Sequence, residues 1–125
     1  MKEVMAIVRM NMMNQTKRGL AAAGITSLHA KECLGRGKGL VELISLNGAE
    51  KQYEEKMDEL GQAGRLIPKR MVSVVVPDKL VKKTVDTIIK INQTGKSGDG
   101  KIFVMPVMNS VRVRTGETGD ETLDE

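Results

Sequence analysis

A β-branched run at residues 71–76, closed by Pro77 and followed at once by an apolar repeat of period four, restricts this chain more than any other feature. Val72, Val74, Val75 and Val76 favour a pleated, half-buried backbone, and Pro68 and Pro77 bound the segment, which predicts a buried strand. Directly after it, Leu80/Val81, Thr84/Val85 and Ile88/Ile89 recur every four residues, while Lys79, Lys82, Lys83 and Asp86 fall on the other side. That is the stripe of an amphipathic helix, with Asp78 placed to cap its start and Gly95 to end it. Residues 102–108 read as another strand.

The N-terminal half has the same order. Residues 2–9 alternate, with Val4, Ala6 and Val8 against Met5, Ile7 and Arg9, as in a central strand covered on both sides for most of its length. Residues 14–23 include Leu20, Ala21, Ala22 and Ala23, good helix formers, and Gly24 stands where a C-cap glycine belongs. Residues 25–34 predict a second strand, interrupted by Ser27, His29, Lys31 and Glu32. No core segment then follows until Met71. Structureless loops beyond about 12–15 residues are uncommon in compact domains, so this gap is read as a functional loop. Within it, Asn47 and Glu50 fit a capping box, and Tyr53, Met57 and Leu60 share a helical face. Like charges four apart at Glu50/Glu54, Glu54/Asp58 and Glu55/Glu59 make that helix marginal until a partner orders it.

Near the C-terminus, residues 111–114 predict a short alternating strand with Arg112 and Arg114 on one side, a fork suited to an anion. Residues 116–125 are expected to form an acidic, mobile tail. The whole is the βαββαβ order of the ferredoxin-like fold, an α+β architecture with one antiparallel sheet and two helices on one face. It occupies a single domain, residues 1–115, with the long loop at about 36–68.

Charge narrows the function. Residues 1–115 hold 20 basic and 11 acidic groups, a formal +9 that favours an anionic ligand or partner. A nucleic-acid-binding module is the alternative reading, but Tyr53 and Phe103 are the only aromatics available for stacking bases. A small phosphorylated or carboxylated ligand fits better. One cysteine, Cys33, and one histidine, His29, offer neither an internal disulfide nor a His/Cys metal cluster. No apolar run reaches the length of a membrane span, and the N-terminus lacks a signal-peptide core, so a cytoplasmic protein is expected. No nucleophile stands beside a base and no paired carboxylates are placed by adjacent structure, so the chain is not read as an enzyme.

The stretch Thr94-Gly95-Lys96-Ser97-Gly98-Asp99-Gly100-Lys101 concentrates glycine and lysine between helix and strand. Glycines allow backbone N–H groups to turn inward, and the two ammonium groups add positive charge, a combination suited to phosphate. Gly95 to Lys101 matches the spacing of a P-loop, but Ile102 stands where that loop needs Ser or Thr for Mg²⁺, and the helix precedes the loop instead of following it.

Val75-Val76-Pro77-Asp78, Thr94-Gly95-Lys96 with Gly98-Asp99-Gly100-Lys101-Ile102-Phe103-Val104, and Arg112-Val113-Arg114-Thr115-Gly116-Glu117 together resemble the PII signal-transduction family, from Met1 to about Gly119. The long loop and the clusters Gly35-Arg36-Gly37-Lys38 and Ile67-Pro68-Lys69-Arg70-Met71 look most like the branch encoded with nitrogenase genes. The resemblance implies a trimer, homomeric or mixed with a sister PII protein, whose subunit clefts bind ATP or ADP, with 2-oxoglutarate joining Mg²⁺-ATP. It also implies that the long loop meets the target, the dinitrogenase component of nitrogenase, with no nucleic-acid partner. By motif, Gly98, Asp99, Gly100 and Lys101 match the phosphate loop, and Arg112 and Arg114 the pair reaching the phosphates. Gly35, Gly37 and Lys38 match the nucleotide-side root of the long loop, Val75 an adenine-side contact, and Lys69 the lysine that pairs with a 2-oxoglutarate carboxylate. The chain departs from the family at Gly39, which replaces a glutamine that helps ligate Mg²⁺ and 2-oxoglutarate. It departs again at Lys51, which follows Gly48-Ala49-Glu50 where a modifiable tyrosine is usual.

Overall fold

The computed structural model describes residues 1–37 and 66–123. Lys38, Gly39, the helix expected after Asn47, and Lys51 and Tyr53 lie outside those residues. The described elements are β1 (Lys2–Arg9), α1 (Met13–Ala22), β2 (His29–Gly35), β3 (Ile67–Val76), α2 (Val81–Asn92) and β4 (Lys101–Pro106). Short 3-10 turns, Met10–Met12, Asp78–Leu80 and Asp120–Thr122, precede the two helices and follow the last strand. The strands form one antiparallel sheet in the order β2-β3-β1-β4. This is the ferredoxin-like α+β fold expected from the alternation of strand and helix patterns.

Register explains the core. Ala6 is paired with Val72 and Val4 with Val74 across β1 and β3, so the buried sets of both central strands fall on one face. There Val4, Ala6, Val8, Val72, Val74 and Val76 pack with Met13 and Leu20 of α1 and Ile88 of α2. Full burial of a side chain of this size contributes about 1.5–3 kcal/mol, so this two-layer contact is the main stabilising interaction of the fold. A polar bridge joins the helices inside it: buried Asn92 donates through Nδ2 to Thr16 Oγ1 at 3.0 Å and to the Ile88 carbonyl at 2.9 Å.

The other sheet face is less covered than the alternation in β1 predicts. Met5 and Ile7 are half-buried and Phe103 is exposed, because both helices lie on the valine face. Element edges also move from their expected positions, each for a local reason. The second strand starts at His29 rather than residue 25, because the Ile25 amide donates to the Leu20 carbonyl at 2.9 Å and the Gly24 amide to that of Ala21 at 3.0 Å. With Gly24 at φ 87°, these bonds close α1 as a Schellman motif and commit Ile25 to the helix end. β3 starts at Ile67, ahead of Met71, and contains Pro68. Pro68 lies beyond the last pair to β1, Arg9↔Lys69, so only the β2 side is laddered there. β4 ends at Pro106, before residue 108; one further bond, from the Val107 amide to the Met1 carbonyl at 3.2 Å, continues toward the start of β1, where the chain begins.

Asp78 does not cap the following helix. Its carboxylate pairs with the Met1 ammonium at 3.1 Å and Lys2 Nζ at 3.6 Å, and no side chain caps the 3-10 turn that leads into α2. These contacts, the ammonium first, hold the Asp78 carboxyl below the usual carboxylate range. α2 also stops at Asn92, ahead of Gly95, as Gln93 turns to ψ 119°.

Candidate functional site

Beyond Gln93, residues 94–100 fold around one carboxylate. Asp99 accepts the Thr94 amide at 2.8 Å, the Gly95 amide at 3.0 Å and the Thr94 hydroxyl, and Arg9 Nη1 closes on it at 2.7 Å. The Thr94 hydroxyl and amide, then Arg9, hold its carboxyl far below the usual carboxylate range. Asp99 is therefore ionised throughout the neutral range and accepts hydrogen bonds only. It shapes the loop and would repel a phosphate brought against it.

Two cations from the sheet reach the same loop. Arg9 and Lys69 are cross-strand partners at the ends of β1 and β3, so their side chains leave the same face. Arg9 Nη2 donates to the Ser97 carbonyl at 3.0 Å, and Lys69 Nζ to the Gly98 carbonyl at 3.2 Å. Gly100 sits at φ 117°, and a Cβ there would lie 1.9 Å from the Ile7 carbonyl oxygen. Only glycine lets the loop enter β4 against the β1 backbone at that point.

These constraints leave a cavity of about 280 Å³ lined by Ile7, Gly35, Arg36, Gly37, Lys69, Gly98, Gly100, Lys101 and Phe103. It brings together six residues singled out from the sequence: Gly35, Gly37, Lys69, Gly98, Gly100 and Lys101. Its charged lining, Arg36, Lys69 and Lys101, is wholly cationic. A larger cavity of about 460 Å³ runs between α2 and β4, with apolar walls from Val85, Ile88, Ile89 and Ile102, and it also reaches Asp99, Gly100 and Lys101 of the phosphate-like loop. The larger cavity sets the Asp99 carboxylate beside Lys101 among apolar walls, whereas the smaller one carries cations and no carboxylate and has the chemistry for an anion.

The remaining expected residues stand elsewhere. Val75 borders a small pocket with Gly24, Ile25, Leu80 and Leu123. Arg112 Nη1 lies 2.9 Å from the Glu117 carboxylate and Nη2 donates to the Glu121 carbonyl at 2.9 Å. The strand expected at residues 111–114 is reduced to one bridge, Val111↔Thr118, because the Gly116 amide turns back to the Arg112 carbonyl at 2.7 Å with Gly116 at φ 75°. Arg114 is exposed in that turn.

A family model described as "Nitrogen regulatory protein P-II" matches residues 1–117. The chain belongs to the P-II family. It is 43% identical over 125 residues to "Nitrogen fixation nifHD region GlnB-like protein 2" of Methanobacterium ivanovii, covering 98% of this chain and 99% of that protein. The protein so named in Methanothermococcus thermolithotrophicus is also 43% identical, with 96% of each chain covered. "Nitrogen regulatory protein P-II 1" of Escherichia coli strain K12 is 39% identical over 98% of this chain and 100% of its own.

In this P-II chain, sequence reasoning missed Arg9, Thr94, Arg36 and Glu117. Thr94 and Asp99 sit five residues apart around glycines, a spacing that signals side-chain capping of the backbone. Arg36 lies inside the glycine and basic cluster after β2. Arg9 carries no local signal, because its role depends on contact with Asp99 at the far end of the chain.

Proposed function

We propose that this P-II chain is a nitrogen-regulatory signalling protein and not an enzyme, and that it binds ATP or ADP with the phosphates in the cationic cavity. The observation that carries this reading is the convergence of Arg36, Lys69 and Lys101 with Gly98 and Gly100 on one cavity of about 280 Å³. Charge-assisted contacts to phosphate are about twice as strong as neutral ones, and glycine lets phosphate approach the backbone. Lys69 is the residue offered to a 2-oxoglutarate carboxylate. Mg²⁺ enters with ATP: Asp99 is committed to its loop, and among the described residues no three His, Cys, Asp or Glu side chains gather to hold a metal.

Val75, Arg112 and Arg114 are not among the residues lining this cavity. A trimer, homomeric or mixed with a sister P-II chain, supplies them from a neighbouring copy, so that the nucleotide bridges two subunits. The exposed Phe103, Val104, Met108, Val111 and Val113 give such an assembly apolar surface to bury. Nucleotide state then selects the conformation of the segment joining β2 and β3, which begins at the cavity with Gly35, Arg36 and Gly37. The target of that segment is the dinitrogenase component of nitrogenase, in keeping with the nifHD-region names of the relatives. Among the described residues no helix is long and apolar enough to cross a membrane, which fits work in the cytoplasm.

The test is calorimetric. Lys101→Ala is expected to weaken ATP binding by about ten-fold or more, the loss of one charged hydrogen bond. Lys90→Ala, on the outer side of α2, is expected to bind as the parent does. Unchanged ATP affinity in Lys101→Ala would remove the phosphates from this cavity.

A further inference from the structure

The three cations of the smaller cavity come from three separate strands. Ile7 is paired with Lys101, Arg9 with Lys69 and Lys69 with Cys33, so Lys101 of β4, Lys69 of β3 and the end of β2 meet on the sheet face away from the helices. Arg36 directly follows Gly35, the last residue of β2. The order β2-β3-β1-β4 puts three strand spacings between Arg36 and Lys101, about 14 Å across the sheet, with Lys69 between them.

The two ends of this row differ in chemistry. At the β4 end the cavity is walled by Ile7 and Phe103, and Phe103 is 44% exposed; at the β2 end it is walled by Gly35, Arg36 and Gly37. Lys69 Nζ is tied to the Gly98 carbonyl, whereas Arg36 makes no hydrogen bond or ion pair with another described residue. The glycines on either side of Arg36 have no atom within 4 Å of an added Cβ, so the backbone there has room to bring the guanidinium onto a ligand.

We propose that Arg36 is the specificity-determining residue of this cavity: it binds the terminal phosphate of a nucleoside triphosphate and so separates ATP from ADP. The proposal rests on the reading that the phosphates occupy the cationic cavity. A single phosphate spans too little of the row to meet both of its ends. A chain of phosphates that starts at the apolar end, with the nucleoside beside Phe103, meets Lys101 first and Arg36 last. A diphosphate anchored at the same end stops short of β2. The planar fork of a guanidinium also matches the oxygens of a terminal phosphate in a way that the point charge of an ammonium does not.

The experiment is calorimetric titration of the full chain with ATP and with ADP, both in excess Mg²⁺. In Arg36→Ala, ATP binding is expected to weaken about ten-fold, the loss of one charge-assisted contact, and ADP binding about two-fold, so the ratio of the two affinities falls about five-fold. Arg36→Lys, which keeps the charge without the fork, is expected to fall between Arg36→Ala and the parent. Arg36 is exposed, so Arg36→Ala is expected to melt as the parent does, which separates a lost contact from a lost fold. Lys101→Ala, at the other end of the row, is expected to weaken both nucleotides alike. Equal losses for ATP and ADP in Arg36→Ala, or no loss for either, overturn the proposal while the losses in Lys101→Ala keep the phosphates in the cavity. If Lys101→Ala binds both nucleotides as the parent does, the cavity is not the phosphate site and the reading beneath the proposal falls with it.

Discussion

The Arg9 guanidinium lies 2.7 Å from the Asp99 carboxylate, a contact between the last residue of β1 and the loop that enters β4. Both side chains are about three-quarters shielded from solvent, 27% and 24% exposed, so the pair is screened less than a surface ion pair. Through it the loop that follows α2 is tied to the central strand of the sheet, and the cavity beside Gly98 and Gly100 takes its shape.

Breaking that tie should loosen the loop without unfolding the domain. Arg9→Ala and Asp99→Asn are expected to speed hydrogen exchange at the Gly95 amide and to weaken ATP binding by about ten-fold, because the loop is no longer preorganised. Exchange followed by NMR checks the first effect and calorimetry the second. Protection at Gly95 equal to the parent in both variants would mean the loop does not need the pair.

Gly100 and Gly95 should respond differently to alanine although both have positive φ, 117° and 82°. At Gly95 no atom lies within 4 Å of a new Cβ, so the cost is that of the left-handed backbone, about 1–2 kcal/mol. At Gly100 the new Cβ meets the Ile7 carbonyl oxygen at 1.9 Å, and backbone must move as well. Gly100→Ala is therefore expected to lose clearly more stability than Gly95→Ala in urea denaturation. Equal losses would contradict the close approach of the loop to β1.

The acid side of the stability profile should carry the signature of Asp99. Its carboxyl is held below its ordinary value in the folded chain, so its contribution is fully present above the unfolded value, about pH 3.9, and is lost as pH falls toward the lower folded value. Melting temperature measured between about pH 2 and 7 is expected to fall more steeply below about pH 4 in the parent than in Asp99→Asn, which has no carboxyl to protonate there. Parallel curves would show that the carboxylate is not held as its contacts imply.

The fold was largely legible in the sequence, because its core follows two simple periods. Val4, Ala6 and Val8 share one strand face by alternation, and Thr84 and Ile88 recur at helical spacing; both sets are buried, although the second covered face expected for β1 is not. Gly24 was legible as a helix end for the same kind of local reason. Asp78 was not: a carboxylate before a helix reads as a cap, but the Met1 ammonium, brought close by the pairing of β1 with β3, competes for it. The candidate site divides along the same line. Gly98, Gly100 and Lys101 lie in one motif and were readable, whereas the hold of Arg9 on Asp99 and of Glu121 on Arg112 depends on tertiary closure that no local pattern encodes.

Titration of the purified protein with ATP and Mg²⁺, with and without 2-oxoglutarate, tests the nucleotide-sensor reading most directly. The expected result is that ATP binds and that 2-oxoglutarate tightens it, with ATP tightening 2-oxoglutarate by the same factor, as linkage requires. An absence of ATP binding under either condition would contradict it.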